Sequence, residues 1–288
     1  MHTTPKVFII VLNYNGRDVL KNCLKSVFRI NYPNFEVVVV DNASTDGSLE
    51  SVKADFSKAH FIKNETNLGF STGNNIGIRF ALEKMADFVL LLNNDTEVES
   101  NFLQELVTAS LADEKIGISS PKIFKDRSEN IWFAGGEINW LKMKTAHENH
   151  CPVSSKPYET GFISGCAMLI KKEVFKKIGL FDEDFFLYWE DTDFSVRAQR
   201  AGFKTVVIPT ATVYHFEKSE NNKPNKIYWL VLSGLLFFQK NATFPLNIWL
   251  KLYVFLRKIK NKRDVKNKTS ELALVVQKAY KDFTKFAK

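Results

Sequence analysis

The first part of the chain alternates short, β-rich apolar runs with stretches of helical periodicity, and this alternation is the feature that most restricts the fold. Four consecutive valines within Phe35–Asp41 indicate a strand that is buried on both faces. A repeated strand–helix order predicts an α/β fold with a doubly wound, mostly parallel sheet. The predicted strands are Val7–Asn13, Phe35–Asp41, His60–Asn64 and Asp87–Asn93, and the predicted helices are Arg17–Arg29, Ser48–Phe56, Asn74–Met85 and Ser100–Leu111.

From Ile116 onward the alternation becomes irregular and predicts a small antiparallel portion of the sheet. Pro209 cannot donate a hydrogen bond to a strand ladder, so we expect it to separate two strands. The predicted strands here are Ile116–Phe124, Trp132–Gly136, Gly161–Ile170, Thr205–Ile208 and Thr212–Phe216, and helices are expected around Glu173–Ile178 and over Asp191–Ala201.

Three of the predicted strands end in polar clusters rich in turn-forming residues, which are Asn13–Gly16, Asp41–Gly47 and Asn93–Thr96. The carboxyl ends of parallel strands lie at one edge of a sheet, and doubly wound folds bind their ligands outside that edge. We therefore expect a binding site to which all three clusters contribute.

Two acidic residues at these strand ends are candidates for ligand binding. Asp95 could hold a hard divalent cation that phosphate oxygens also bind, or it could cap the helix that follows. Asp41 could accept a hydrogen bond from a pyrimidine ring N–H or a ribose hydroxyl, or it could form an Asx-turn. The residues alone leave both choices open.

Further candidates lie in the second half of the chain. Glu190 and Asp191 follow the aromatic run Phe185–Trp189 at the start of a predicted helix. The helix dipole favours an ionised carboxylate there, as a general base requires, whereas neighbouring acids raise a carboxyl pKa. Helix capping is the alternative role. His215 ends a predicted strand and is either a metal ligand or a buried imidazole.

The motifs of two common α/β enzyme classes are absent from the sequence. No GxGxxG follows the first strand, and no GxxxxGK[ST] occurs. Both motifs supply the glycine-rich backbone that cradles phosphates in their class. Rossmann dehydrogenases and P-loop NTPases are therefore disfavoured.

The chain holds three cysteines, Cys23, Cys151 and Cys166, far apart in sequence and without a CxxC pair. This spacing favours neither a disulfide framework nor a zinc site. Reduced thiols are typical of a cytoplasmic protein. The apolar run Val7–Leu12 is too short for the core of a signal peptide, which fits the same expectation.

The C-terminal part differs from the rest in charge. Residues 251–288 carry a formal charge of +9 and the whole chain +8, so the remainder is nearly neutral. This distribution argues against a nucleic-acid surface across the fold and predicts an anionic partner for the tail. We expect an α/β catalytic domain over residues 1–220 and an amphipathic, basic helical region over 221–288.

We expect this C-terminal region to bind the inner face of the cytoplasmic membrane without spanning it. Its apolar stretches, Ile227–Phe238 and Phe244–Leu256, are shorter than the roughly 20 residues that cross a bilayer. Aromatic side chains favour the headgroup boundary, and anionic lipid attracts lysine and arginine. The alternative is that these stretches pack on the preceding domain. The aromatic residues concerned are Tyr228, Trp229, Phe237, Phe238, Trp249, Tyr253 and Phe255.

Together, these segments resemble the family-2 glycosyltransferases of the GT-A fold, and the resemblance extends from about Val7 to His215. Its strongest element is Phe181–Asp193, which is similar to the family's acceptor-side motif. Within the family, the pattern is most similar to the rhamnosyltransferase-type branch. The other matching segments are Val11–Gly16, Val40–Ser48, Asn67–Phe70, Gly73–Asn75, Leu91–Thr96 and Val213–His215.

The resemblance implies roles for individual residues. It implies that Asp191 is the catalytic base, that Asp95 helps to hold Mg²⁺ or Mn²⁺, and that His215 helps to hold the metal or the diphosphate. Asn93 stands where the family's metal motif has its first acid, which leaves Asp95 as the dependable carboxylate ligand. The implied nucleotide-binding residues are Asn13, Tyr14, Asp41, Asn67, Asn74 and Asn94, and the implied acceptor-side residues are Gly165, Trp189 and Glu190.

The reaction that the resemblance implies is inverting sugar transfer. The donor would be a dTDP-rhamnose-like or UDP-activated sugar, and the acceptor a hydroxyl of a cell-surface polysaccharide or a lipid-linked glycan. Two alternatives are a sugar-nucleotide pyrophosphorylase, whose glycine-rich N-terminal loop is absent here, and a non-catalytic binding protein of the same fold. Release of free nucleoside diphosphate from sugar nucleotides distinguishes the three.

Overall fold

The computed structural model describes residues 4–152, 154–217, 223–267 and 272–286. Its first half confirms the predicted alternation of strands and helices. The elements are β1 (Val7–Asn13), α1 (Leu20–Val27), β2 (Phe35–Asp41), α2 (Ser48–Lys53), β3 (His60–Lys63), α3 (Gly69–Glu83), β4 (Phe88–Asn93), β5 (Thr96–Val98) and α4 (Phe102–Ala112).

The second half adds strands to the same sheet and one separate two-stranded hairpin, and it ends in helices. Its elements are β6 (Ile116–Lys125), β7 (Ile131–Phe133), β8 (Gly136–Asn139), β9 (Lys144–His147), β10 (Tyr158–Glu159), β11 (Ala167–Lys171), α5 (Lys172–Ile178), α6 (Glu190–Arg200), β12 (Lys204–His215), α7 (Lys223–Asn241), α8 (Leu246–Lys266) and α9 (Ala273–Phe283).

The main sheet has the strand order β10-β12-β6-β11-β4-β1-β2-β3. Strands β3, β2, β1 and β4 pair in parallel, whereas β11 pairs antiparallel with both β4 and β6. The predicted mixture of a parallel part and a small antiparallel part is thus confirmed. Asn13 pairs with Asp41, and Leu12 with Asn93, so the polar strand ends meet at one edge.

The parallel strands form the centre of the core. Residues 7–11 of β1 and residues 38–40 of β2 are fully buried, as expected for strands covered on both faces. Burial of each large apolar side chain stabilises the fold by about 1.5–3 kcal/mol. The rigid centre therefore fixes the strand ends from which the polar loops leave.

Two predicted element bounds were wrong because tertiary contacts override local pattern. Helix α3 begins at Gly69 rather than Asn74. Phe70 N in its first turn donates to the carbonyl of Phe186 at 2.7 Å, and this contact satisfies an N–H group that has no partner within the helix. The strand predicted from Gly161 begins only at Ala167. Residues before it donate instead to side chains of α6, among them Ile163 N to Ser195 Oγ at 3.1 Å.

Two further predictions about strand breaks were also wrong. Pro209 does not separate two strands, because β12 runs through it and its pairing with β6 shifts register between Ile208 and Thr212. A bulge of this kind accommodates a residue that cannot donate. The single strand predicted over Trp132–Gly136 is split into β7 and β8 at Gly135, whose φ is +132°.

The C-terminal helices pack on the domain through a second hydrophobic cluster. Phe237 and Phe238 of α7 are buried against Trp189, with ring centroids 5.1 and 5.2 Å away. These two phenylalanines therefore cannot meet a membrane, which corrects part of the expectation above. No helix among the described residues is both long and apolar enough to cross a bilayer. The predicted domain boundary at 220/221 lies outside the described residues.

Candidate active site

The loops after β1, β2 and β4 are joined by hydrogen bonds centred on Asn13. Its Nδ2 donates to Asp41 Oδ1 at 2.8 Å and to Ser48 Oγ at 2.8 Å, and its Oδ1 accepts from Asn94 Nδ2 at 2.8 Å. Gly16 completes the junction, because a Cβ there would lie 2.2 Å from Asn94 Nδ2. The predicted convergence of the three polar clusters is thus present.

A cavity of about 530 Å³ opens beside this junction. Three of the predicted site residues line it, namely Tyr14, Asn94 and Asp95. The prediction did not include Arg17 and Asp46, which also line it. Asp46 accepts from Arg17 N at 2.9 Å and so joins two of the loops. The remaining lining residues are Asn15, Gly16, Asp18, Val19, Phe216 and Glu217.

Asp41 lies beneath the cavity rather than on its wall. Its side chain is fully buried, and both carboxylate oxygens accept hydrogen bonds within the protein. Oδ1 accepts from Asn13 and from Ser44 Oγ at 2.6 Å, and Oδ2 accepts from Ser44 N at 2.9 Å. In this arrangement Asp41 shapes the loop, and its direct contact with a nucleoside stays a prediction.

Asn67 and Asn74 also lie outside the lining of this cavity. Asn67 Oδ1 accepts from Gly69 N at 2.9 Å at the start of α3. Asn74 is buried within α3 and donates to Phe70 O at 3.0 Å. Their contacts in the structure are those of helix-positioning residues, and their predicted role in nucleotide binding stays untested.

The pairing of β5 with β12 brings Asp95 and His215 together. Thr96 pairs with His215, and Phe216 N donates to Asp95 O at 2.8 Å. Asp95 Oδ1 lies 3.2 Å from His215 Nε2. The two predicted metal ligands are therefore adjacent, although they are 120 positions apart in the sequence.

These two side chains fit a divalent cation. Asp95 Oδ1 is buried and makes no hydrogen bond apart from its contact with His215 Nε2, and the buried His215 Nδ1 on the other side of the ring has no hydrogen-bond partner. Two ligands at right angles, each about 2.1 Å from a metal ion, are roughly 3 Å apart, close to the observed separation. Within the described ranges no three His, Cys, Asp or Glu side chains form a metal site. Phosphate oxygens and water would therefore have to complete the coordination.

Burial and two neighbouring side chains have opposite effects on the pKa of His215. Burial lowers the pKa of the imidazole, but Cys166 and Asp95 outweigh this effect and raise the pKa above that of a free histidine. The ring also meets Trp132 edge-on, with centroids 4.4 Å apart. Its orientation is therefore fixed from two sides.

Asp191 lies at the start of α6 and is held in one orientation. Oδ2 accepts from Gly165 N at 2.9 Å, and Oδ1 accepts from Thr192 N at 2.6 Å and Thr192 Oγ1 at 3.2 Å. Burial raises the pKa of the carboxyl, and the hydrogen bonds from Gly165 and Thr192 reduce this shift without cancelling it. A carboxylate of raised pKa is a stronger base than an ordinary aspartate.

Gly165 and Glu190, both predicted on the acceptor side, flank Asp191. A Cβ at Gly165 would lie 2.8 Å from the ring of Phe70, so the close approach requires glycine. Glu190 is buried, and its Oε2 has no hydrogen-bond partner in the structure. Burial and the neighbouring Asp191 raise the pKa of Glu190 well above its ordinary value. The pair therefore favours one charge rather than two.

The third predicted acceptor-side residue, Trp189, points into the second hydrophobic cluster. Its Nε1 donates to Leu230 O at 3.1 Å. Tyr188 and Trp189 both have positive φ, 65° and 72°, which is uncommon for large side chains and concentrates at functional sites. Trp189 thus anchors the backbone that presents Asp191, and direct contact with an acceptor stays a prediction.

His147 lies near the predicted base and was absent from the predicted site. It ends β9, and its ring meets those of Trp132 and Phe133 at 4.7 and 5.0 Å. Burial lowers the pKa of His147 itself, so only its protonated form would lower the pKa of Asp191. The sequence around His147 contains no recognisable motif. Its position depends on the packing of the β8–β9 hairpin, which sequence patterns do not reveal.

One short sequence pattern is typical of a different enzyme class. Gly69–Gly73 has the GxSxG spacing of a hydrolase nucleophile elbow, in which the serine is exposed. Ser71 instead lies inside α3, fully buried and without a hydrogen-bond partner. The structure therefore gives no support to a serine hydrolase.

The fold agrees with comparisons to known proteins. The sequence model described as "Glycosyl transferase family 2" matches residues 8–179, more than half of the chain. The chain belongs to glycosyl transferase family 2. The predicted enzyme class, a glycosyltransferase, is thereby confirmed, and the family-2 resemblance with it.

Curated relatives of similar length point to the same branch of the family. The chain is 27% identical over 261 residues to the dTDP-rhamnosyl transferase RfbF of Shigella flexneri, covering 86% of this chain and 85% of that protein. It is 31% identical over 251 residues to the low-salt glycan biosynthesis hexosyltransferase Agl10 of Haloferax volcanii, covering 83% and 77%. The resemblance to rhamnosyltransferases is thus confirmed.

Solved structures confirm the predicted GT-A fold. The mannosyltransferase PcManGT of Pyrobaculum calidifontis, solved with GDP-Man and Mn²⁺, superposes with a TM-score of 0.62 at 18% identity over 96% of this chain and 74% of that one. GalNAc-T7, solved with UDP, GalNAc and Mn²⁺, gives a TM-score of 0.65 at 19% identity over 87% and 55%.

Proposed function

We propose that this glycosyltransferase moves a deoxysugar of the rhamnose type from a dTDP-activated donor, with inversion at the anomeric carbon. Support for the donor comes from RfbF, a dTDP-rhamnosyl transferase similar over most of both chains. UDP-activated donors are the alternative, since a structural neighbour binds UDP. Tyr14 and Asn94 line the cavity in which the nucleotide would lie.

The acid–imidazole pair is the part of the site that would neutralise the leaving diphosphate. Asp95 and His215 would hold Mg²⁺ or Mn²⁺, which supplies the positive charge that stabilises a departing diphosphate. An imidazole ligand suits transition-metal ions, so the pair favours Mn²⁺. Arg17, on the same cavity, would add a second positive charge near the phosphates.

Asp191 would act as the general base. Its carboxylate would take the proton from the acceptor hydroxyl as that oxygen attacks the anomeric carbon. The hydrogen bonds from Gly165 and Thr192 fix both of its oxygens, so little reorganisation is needed at the moment of attack. Glu190, beside it, would remain protonated and leave the single negative charge on Asp191.

The acceptor would be a hydroxyl of a lipid-linked glycan or a cell-surface polysaccharide under assembly. A further relative, 25% identical over 72% of this chain and 75% of its own length, is an N-acetylglucosaminyl-diphospho-decaprenol L-rhamnosyltransferase of Mycobacterium tuberculosis. A lipid-linked acceptor is consistent with work at the inner face of the cytoplasmic membrane. No nucleic acid is expected as a partner.

The adjacency of Asp95 and His215 at the cavity edge is the observation that carries this proposal. The test is to incubate the full chain with dTDP-rhamnose, UDP-glucose or GDP-mannose and Mn²⁺, with a polyprenyl-diphosphate-linked sugar as acceptor. We expect acceptor-dependent release of dTDP and loss of release with EDTA. Nucleotide binding without release would indicate a non-catalytic protein, and pyrophosphate-dependent nucleoside triphosphate formation would indicate a pyrophosphorylase.

A further inference from the structure

Helix α8 has a defined inner face that holds it on the protein. Leu250 and Asn261 are buried, and Asn261 Nδ2 donates to Ala273 O at 2.9 Å. Trp249 Nε1 donates to Leu141 O at 3.0 Å, and Tyr253 OH donates to Lys142 O at 3.3 Å, which fastens the helix to the β8–β9 hairpin. The rotation of α8 about its own axis is therefore fixed.

The opposite face of α8 is apolar and uncovered. Ile248, Leu252, Phe255 and Leu256 are 60%, 50%, 59% and 51% exposed. Their spacing of four, seven and eight positions places them on one side of a helix. Single exposed apolar residues are ordinary on protein surfaces, but a continuous stripe marks an interaction site. We call these four residues the α8 stripe.

The stripe continues into positive charge. Lys262 and Arg263 follow Phe255 and Leu256 by seven positions, which returns them to the same face two turns later. Helix α8 as a whole carries seven lysine and arginine residues and a single acid, Asp264. This arrangement matches a bilayer with anionic headgroups. The apolar side chains can contact the acyl chains while the neighbouring cationic side chains contact the lipid phosphates.

We propose that the α8 stripe is a docking surface for an anionic lipid bilayer, in which α8 lies along the headgroup boundary. A second copy of the chain fits less well, because pairing the stripe with itself would bring two highly cationic helices together. Trp249, 41% exposed at the edge of the stripe, is the side chain that membrane interfaces favour. Leu141, exposed at the hairpin tip beside it, extends the apolar surface.

Docking of α8 would also orient the active site, and this consequence rests on the proposed function. The β8–β9 hairpin that α8 holds ends at His147, whose ring meets Trp132, and Trp132 in turn meets His215 of the proposed metal site. Helix α7, which precedes α8, covers Trp189 two positions before the base. The acceptor side would thus lie close to the headgroups, where a lipid-linked glycan presents its hydroxyl.

The test compares two double variants of the full chain by sedimentation with vesicles of phosphatidylcholine, with or without phosphatidylglycerol. Leu252→Glu with Phe255→Glu changes the stripe. The control, Met85→Glu with Leu111→Glu, changes two apolar residues outside α8 that are 77% and 54% exposed. Both pairs are on the surface, so both variants should fold, which circular dichroism checks. We expect the stripe variant to lose at least about 30-fold in partitioning and the control to match the unmodified chain.

A second variant tests the charge. Lys262→Gln with Arg263→Gln should lower partitioning into phosphatidylglycerol vesicles on the order of 10–30-fold at low salt, with little change on phosphatidylcholine alone. Equal sedimentation of the stripe variant and the unmodified chain would overturn the proposal. A stripe variant that changes only from dimer to monomer in light scattering would overturn it in favour of a second copy. Because no sugar nucleotide is present, these outcomes are independent of the proposed transfer reaction.

Discussion

At the residue scale, the carboxylate of Asp191 is the group whose loss should be most damaging to turnover. Asp191→Asn keeps the shape but removes the base, so we expect kcat to fall roughly 10²–10⁴-fold while donor affinity is retained. Nucleoside diphosphate release and calorimetry with the donor measure the two quantities. Glu129→Gln, an exposed change between β6 and β7, is the control. Near-normal turnover of Asp191→Asn would exclude it as the base.

The raised pKa of Asp191 gives a dependence on pH. The base works only when ionised, so the acid limb of kcat/KM should lie above the pKa of an ordinary aspartate. Thr192→Val removes a hydroxyl that hydrogen-bonds the ionised form, which should move the limb to higher pH and leave the plateau rate unchanged. A pH profile of both proteins measures this. A limb that moves to lower pH would contradict the assignment.

Substitution of Asp95 tests the proposed metal site independently of the proposed base. Because Asn93 adds no charge, Asp95→Ala should abolish the part of nucleotide affinity that depends on Mn²⁺ and leave the part measured in EDTA unchanged. Calorimetry with dTDP and UDP, with and without Mn²⁺, gives both values. Unchanged affinity in Mn²⁺ would mean that the contact of Asp95 with His215 is structural.

At the element scale, the start of α3 depends on a glycine that a tertiary contact requires. Gly69 has a φ of +76°, and a Cβ there would lie 2.3 Å from the carbonyl oxygen of Phe186. Gly69→Ala should therefore cost the strain of a positive φ, about 1–2 kcal/mol, and a clash in addition. Gly202, with a φ of +90° and open space around it, isolates the strain alone.

Thermal unfolding of Gly69→Ala and Gly202→Ala measures the difference. We expect both to lower Tm and Gly69→Ala to lower it by several degrees more, since 1 kcal/mol corresponds to about 2–4 °C in a chain of this size. Equal shifts would show that the loop of Phe186 moves aside at little cost.

At the scale of the whole molecule, the C-terminal helices and the catalytic segment share one cluster. Phe237 of α7 is fully buried against Trp189. Phe237→Ala should cost about 3–5 kcal/mol of stability and reduce kcat, because Trp189 supports the backbone of the base. Urea unfolding and turnover measure both, with the exposed Leu274→Ala as control. An unaffected kcat in the folded variant would show that the helices act independently of the site.

The pattern of apolar and polar residues was sufficient to predict the sheet and the positions of its polar strand ends. Strands buried on both faces need continuous apolar runs, and the four valines of β2 form such a run. This signal is local, so it can be read without knowledge of the tertiary contacts. Asn13, Asp41 and Asn94 could therefore be placed at one edge from pattern alone. The family segments also located Asp95, Asp191 and His215, because each lies within a short motif.

Which of these side chains line the cavity and which support other residues could not be predicted, because it depends on tertiary contacts. The carboxylate oxygens of Asp41 accept hydrogen bonds within the protein, and Trp189 points into the second cluster. Both arrangements involve partners that are distant in the sequence. His147 and the uncovered face of α8 were likewise unpredictable. Periodicity shows that a helix has an apolar side, but packing alone determines whether that side is buried or left exposed to solvent.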